Sequence, residues 1–220
     1  GGPPPPPPPR PIPDPGGASV LRVLPGEAAD RLRSLARGEG ATLYMALLAA
    51  VDVLLARWSG DDEVVVGSAI AGRTRPETEG LIGFFVNTLA LRADVSGRPN
   101  FRALLGRVRE TTLGAFPHQD VPFEKLVEEL GVERSLSHTP LFQAALTLDA
   151  GEGALPEFGG VEVVPYPARG SAVKFDLGFA AGDPGDELLL GITYRAELWD
   201  APTMERVVDA LVRVLDTAAA

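Results

Sequence analysis

The stretch TLYMALLAAVDVLLARW, from Thr42 to Trp58, is apolar around nearly its whole circumference. A helix of that kind offers no face to water and has to be enclosed by other elements. Thr42 is placed to cap it, and Ser59-Gly60 to stop it. It carries Asp52 and falls short of the roughly 20 residues that a membrane span requires, so it reads as the central helix of a core. After a turn at Asp61-Asp62, the run EVVVGSAI (63–70) is rich in β-branched residues and does not alternate. That is the pattern of a strand covered on both faces. A fully enclosed helix feeding a fully enclosed strand requires a layered α/β arrangement.

The other elements fit such layers. A weakly alternating strand is expected over Ser19–Leu24, ended by Pro25. A helix follows over 26–38, with Ala28, Leu32 and Leu35 inward and Arg31, Arg33 and Arg37 outward. The next expectations are a strand at 84–93, a helix at 100–115 and a short helix at 122–130 with Pro122 in its first turn. Strands are then expected at 141–148, 161–166, 173–180 and 187–194, the last two as a hairpin across Asp183-Pro184-Gly185-Asp186. Asp200 is placed to cap a final amphipathic helix over 202–216. Residues 1–17, GGPPPPPPPRPIPDPGG, cannot join a helix or a sheet ladder and favour polyproline II. We read them as a semi-rigid linker, with a ligand for a proline-binding domain as the alternative, and 18–220 as one folded unit.

Composition removes several function classes. Twenty basic against thirty acidic residues leave a net charge of −10, which argues against nucleic acid as a partner. No cysteine and only two histidines are present, so thiolate and His-rich metal sites are excluded. No basic segment precedes an apolar one at the start, so a signal peptide is not expected, and a cytoplasmic location is. No membrane partner is expected either.

Two polar clusters interrupt apolar runs: Asn87-Thr88 within FFVNTLAL, and His118-Gln119-Asp120 ahead of Val121-Pro122-Phe123. An unpaired buried amide costs about 1–3 kcal/mol, so such clusters are either bonded structure or part of a site. Acyl transfer needs a base near neutral pH, usually histidine oriented by a carboxylate. Four residues after His118 stands Pro122, and four after His138 stands Phe142; neither histidine has an aspartate there. No G-x-S-x-G elbow, phosphate-binding loop, G-x-G-x-x-G turn or H-E-x-x-H helix occurs. Asp120 and Glu124 are readable as a carboxylate pair, or as the cap and first-turn charge of the helix at 122–130. The loop AGRTRPETEG (71–80) reads as locally salt-bridged, Arg73 and Arg75 beside Glu77 and Glu79, or as facing a ligand.

Three ordered segments together resemble one family. LIGFFVNTLALR (81–92), with Gly83, Asn87 and Thr88, is similar to the Ile-Gly-x-Phe-Val-Asn-Thr motif of nonribosomal peptide synthetase condensation domains. HQDVPFEKLV (118–127) matches that family's His-Gln-Asp-x-Pro-Phe-Glu motif through His118, Gln119, Asp120, Pro122, Phe123 and Glu124. RSLSHTPLFQ (134–143) resembles its Arg-Asp-x-Ser-Arg-Asn-Pro-Leu-Phe-Gln motif at Arg134, Ser137 and Pro140, and departs from it at Ser135, His138 and Thr139. The likeness covers residues 18–216 and points to the C-terminal half of such a domain. The family's His-His-x-x-x-Asp-Gly motif does not occur in this sequence.

The resemblance implies a chloramphenicol-acetyltransferase-like two-layer sandwich, one lobe of two that enclose a tunnel. It implies amide formation between two thioesters, each on the phosphopantetheine of a carrier protein, with no cofactor bound by the lobe itself. It implies as partners the N-terminal lobe, carrier proteins and a neighbouring adenylation domain. Asn87, Thr88 and the 118–120 loop would line or brace one tunnel wall, none of them catalytic, and the KFDL segment (174–177) belongs to a bridge toward the other lobe. Arg98, Arg102 and Arg109 are the candidates to meet an acidic carrier. The competing readings are a non-catalytic module that recruits a carrier or tailoring enzyme, and the related epimerization domain, against which the sequence from Gly83 to Thr88 speaks.

Overall fold

The structure is a computed structural model, and it describes residues 16–132, 139–149, 159 and 173–220. The proline tract, the strand expected at 161–166, Arg134 and Ser137 lie outside the described residues.

Six strands form one mixed sheet: β1 (Gly17–Leu24), β2 (Glu63–Ile70), β3 (Asn87–Asp94), β4 (Ala144–Asp149), β5 (Leu177–Gly182) and β6 (Leu188–Arg195). Their order is β1-β6-β5-β4-β2-β3. β4 runs parallel to both β2 and β5, and the other neighbours are antiparallel. The helices are α1 (Gly26–Gly38), α2 (Leu43–Ser59), a single turn α3 (Pro76–Glu79), α4 (Phe101–Ala115), α5 (Phe123–Glu129) and α6 (Ala201–Ala219).

Side-chain alternation sorts the two sheet faces. On β6, Leu188, Leu190, Ile192 and Tyr194 are buried in the main core, while Thr193 between them is exposed. The core joins that face to α2, whose Met45 through Asp52 are all buried, and to the inward stripes of α1, α4 and α6. The result is the two-layer α/β sandwich expected from the sequence. Thr42 caps α2, accepting from the Met45 amide at 3.2 Å, and Asp200 caps α6, accepting from Thr203 at 2.7 Å. No single described helix is long and apolar enough to cross a membrane.

Several boundaries differ from the sequence reading. β3 starts at Asn87, not at 84, because Ile70 opposite Asn87 is the last paired position of β2. Beyond it the chain turns at Gly72 (φ +63°) and leaves 84–86 without a strand to pair with. β4 starts at Ala144, not at 141, since Leu141 has φ +70°, a conformation outside the β region. β5 starts at Leu177, not at 173. Arg33 is turned inward rather than outward: its side chain is 15% exposed and bridges Asp30 and, at 2.6 Å, Asp183 in the β5–β6 turn.

Candidate functional site, a cavity beside Asn87

Asn87 opens β3 and spends all three arms of its amide on one loop. Its Nδ2 donates to the carbonyls of Gln119 at 2.8 Å and Val121 at 2.7 Å, and its Oδ1 accepts from the Phe123 N–H at 3.2 Å. The last bond supplies what α5 lacks. Pro122 occupies the cap position with no side chain able to accept, so an amide from another strand satisfies a first-turn donor instead. The expectation that Asp120 caps this helix is therefore corrected. Asp120 is exposed, two residues ahead of the cap, and makes none of the capping bonds. Glu124 does sit in the first turn.

The floor of the site is aromatic. Val66 and Ser68 face the helices, so Gly67 between them faces the other way. A side chain on Gly67 would begin 2.2 Å from the Phe142 ring, which lies flush on the strand there. Phe142 is 2% exposed, although it lies outside the main core. Its ring centroid is 5.4 Å from that of Phe123 and 5.6 Å from that of Phe175, in tilted pairs. The Phe142 N–H donates to the Pro140 carbonyl at 2.9 Å, closing the turn that aims the ring under β2. Arg195, 4% exposed, pairs with Asp176 at 2.9 Å and with Glu197, fixing the chain just after Phe175. Filling the Gly67 notch should overpack this floor. Gly67→Ala is expected to cost about 1–3 kcal/mol, read as a lower thermal midpoint, and Phe142→Leu in the same chain should recover part of it.

Above the floor lies a cavity of about 420 Å³. Its walls come from Phe84 to Thr88, from the Gln119–Glu124 turn, and from Thr139 and Lys174. Thr88, half-buried, holds its place by pairing with Ala69. Gly83 packs against the Phe85 ring, 2.9 Å from where its Cβ would be. His118 ends a 3₁₀ turn (Phe116–His118), is exposed, and is not among the cavity-lining residues. The wall thus offers shape, an amide clamp, two carboxylates and one ammonium, but no imidazole among the described residues.

Arg102 and Arg109 lie away from this cavity and are both engaged. Arg102 pairs with Glu39, and Arg109 Nε donates to the Gly40 carbonyl at 2.9 Å, tying α4 to the α1–α2 turn. Arg98 sits in the preceding turn with φ +51°. Arg73 does not pair with Glu77 or Glu79 through their side chains; it donates to main-chain carbonyls. Sequence reasoning missed Gly67, Phe142, Phe175 and Lys174 as site residues. A glycine inside a β-branched run was the available signal, because it marks a close approach.

The family model for the condensation domain matches residues 11–220. Tyrocidine synthase 3 from Brevibacillus parabrevis is 44% identical over 191 residues, covering 87% of this chain and 3% of that protein. Malpinin synthetase from Mortierella alpina is 42% identical over 177 residues, covering 80% of this chain and 2% of that protein. Among solved structures, the X-domain from teicoplanin biosynthesis superposes with a TM-score of 0.89 at 30% identity, covering 96% of this chain and 48% of that one. The chain belongs to the condensation-domain family of nonribosomal peptide synthetases and corresponds to the C-terminal part of such a domain. It spans a few per cent of the curated relatives' length and about half of the X-domain.

Proposed function

We propose that this chain is the C-terminal lobe of an amide-forming condensation domain and supplies one wall of its reaction tunnel. The observation that carries the reading is the cavity itself. The segment ending in Asn87-Thr88, the Gln119–Glu124 turn, and Thr139 and Phe142 converge on it, and these belong to the described parts of the three segments that carry the family likeness. In the assembled domain the nitrogen of an acceptor aminoacyl thioester attacks the donor thioester carbonyl. The C–N bond forms, the C–S bond breaks, and the amine's proton leaves with the donor thiolate. Both thioesters ride on the phosphopantetheine arms of carrier proteins. The residues of this lobe exclude water and hold the arms; the base comes from the His-His-x-x-x-Asp-Gly motif of the N-terminal lobe. A neighbouring adenylation domain loads the carrier.

An unusually apolar rim supports a partner lobe. Ile82 and Phe84 are almost wholly exposed, and Leu81, Val86 and Val121 are about half exposed. Several exposed apolar side chains on the 81–86 loop and the neighbouring turn support an interaction surface there. The chain alone should self-associate and bind an environment-sensitive dye while folded, and adding the N-terminal lobe should reverse both. A monomeric chain that binds no dye and ignores the lobe contradicts the reading. We propose α4 and the turn before it as the carrier-facing surface, through Arg98 in that turn and Arg102 and Arg109 on the helix. The Arg102 side chain stays 64% exposed despite its Glu39 pair, and each such charge contributes about 0–1 kcal/mol at most.

A second reading is a non-catalytic module that recruits a tailoring enzyme. The likeness to the X-domain, which has also been solved in complex with OxyB, favours it. The partner lobe separates the two: an intact His-His-x-x-x-Asp-Gly motif there supports the enzyme, and a damaged one supports recruitment.

A further inference from the structure

We propose that Arg73 is a positioning residue that sets the cavity wall by holding the loop from Gly80 to Val86 in one conformation. The inference rests on the tunnel-wall reading for its consequence in catalysis, though not for its geometry.

The loop has no sheet partner among the described residues, yet it carries Phe84, Phe85 and Val86 of the cavity wall and the exposed side chains of Ile82 and Phe84. It follows α3, a helix of one turn whose Thr78 carbonyl already accepts from the Leu81 N–H at 3.3 Å. Arg73 adds side-chain donors to the carbonyls at this helix end. One guanidinium nitrogen, Nη1, donates to the Thr78 carbonyl and, at 3.3 Å, to the Glu79 carbonyl. The other, Nη2, donates to the Leu81 carbonyl at 2.9 Å. The Cζ of the same group lies over the Phe85 ring, 4.4 Å from its centroid, a cation–π distance. Arg73 therefore grips the loop where it begins and again at its cavity-facing ring. A second contact closes the same loop from below. Gly72, with φ +63°, packs so tightly that a Cβ would fall 1.8 Å from the Phe85 carbonyl oxygen.

Arginine suits this arrangement because its guanidinium spreads donors over two terminal nitrogens and can reach the Thr78, Glu79 and Leu81 carbonyls while its carbon lies over the ring. Lysine keeps the charge and can lie over a ring, but its donors all sit on one nitrogen, so it cannot hold the separated carbonyls and the ring at once. A residue with a purely electrostatic role at a helix end would tolerate that exchange.

The test is backbone 15N relaxation on the 220-residue chain carrying Arg73→Lys or Arg73→Gln, paired with kinetics of the same variants in a condensation domain completed with an N-terminal lobe. In both variants the order parameters of residues 81–86 should fall to about 0.6 or below, the flexible range, while α2 and β3 stay near the rigid value of about 0.85. In the completed domain both should lose about tenfold in kcat/KM, carried by KM for the carrier substrates, because the binding wall and not the chemical step is disturbed. Wild-type order parameters in the loop of the variants, or full rescue by lysine, overturns the proposal. Relaxation judges Arg73 whatever the completed domain does. An inactive wild-type domain, in contrast, counts against the tunnel-wall reading alone.

Discussion

Replacing Asn87 with leucine is expected to destabilise the chain by about 2–4 kcal/mol, more than any other single change in the cavity wall. Its amide satisfies two carbonyls and the Phe123 N–H. Leucine strands all three at once, and each buried orphan costs about 1–3 kcal/mol, reduced here because the loop is partly solvated. Asn87→Asp sharpens the test. It keeps the acceptor for Phe123 but places an oxygen against the carbonyls of Gln119 and Val121. The near-isosteric change should therefore cost about as much as leucine, whereas a residue that only filled space would tolerate it. Thermal unfolding measures the loss, and amide exchange at Phe123 and Glu124 should show α5 opening first. Wild-type stability in Asn87→Asp would remove the clamp from this account.

Asp52 gives the second large effect, with the opposite sign. It is fully buried in α2, and neither carboxylate oxygen has a hydrogen-bond partner. Burial holds its pKa well above the ordinary carboxylate value of 3.8. In the unfolded chain it ionises near the ordinary value; in the folded chain it stays protonated to a higher pH. Below the unfolded pKa it therefore carries no ionisation penalty. As pH rises from there toward the folded pKa, stability is progressively lost. Asp52→Leu removes both the orphaned oxygens and the titration, and should stabilise the chain by about 1–3 kcal/mol near neutrality. The gain should be larger at a mildly alkaline pH than at a mildly acidic one, as read from urea midpoints. An equal loss under both conditions would mean that Asp52 has a stabilising role in the core.

The elements most legible in the sequence were those whose signal is local. α2 declared itself by its apolar circumference, α6 by its stripe and its Asp200 cap, and β2 by its β-branched run. The motif segments around Asn87 and the 118–124 turn could be placed beside one wall through the family likeness. What could not be read was which group served which. Asn87 reaches partners 32 to 36 residues away, and nothing in either segment announces that an amide on β3 caps α5. Asp120 looked like a cap because capping rules are local; Pro122, two residues later, took the position. Arg102 and Arg109 looked free on a helix face, but Glu39 and the Gly40 carbonyl come from the α1–α2 turn, 63 and 69 residues earlier in the chain. The aromatic floor depended on Gly67 making room for Phe142, a contact across parallel strands that only the fold reveals.

The central claim is that this lobe shapes a tunnel and needs its partner for chemistry. One measurement tests it most directly: mass-spectrometric detection of the amide formed between a donor and an acceptor aminoacyl carrier. Three samples are compared, namely this chain alone, an N-terminal lobe with an intact His-His-x-x-x-Asp-Gly motif alone, and the two joined. Product is expected only in the joined sample. Product from this chain alone, or none from the joined lobes, would contradict the account.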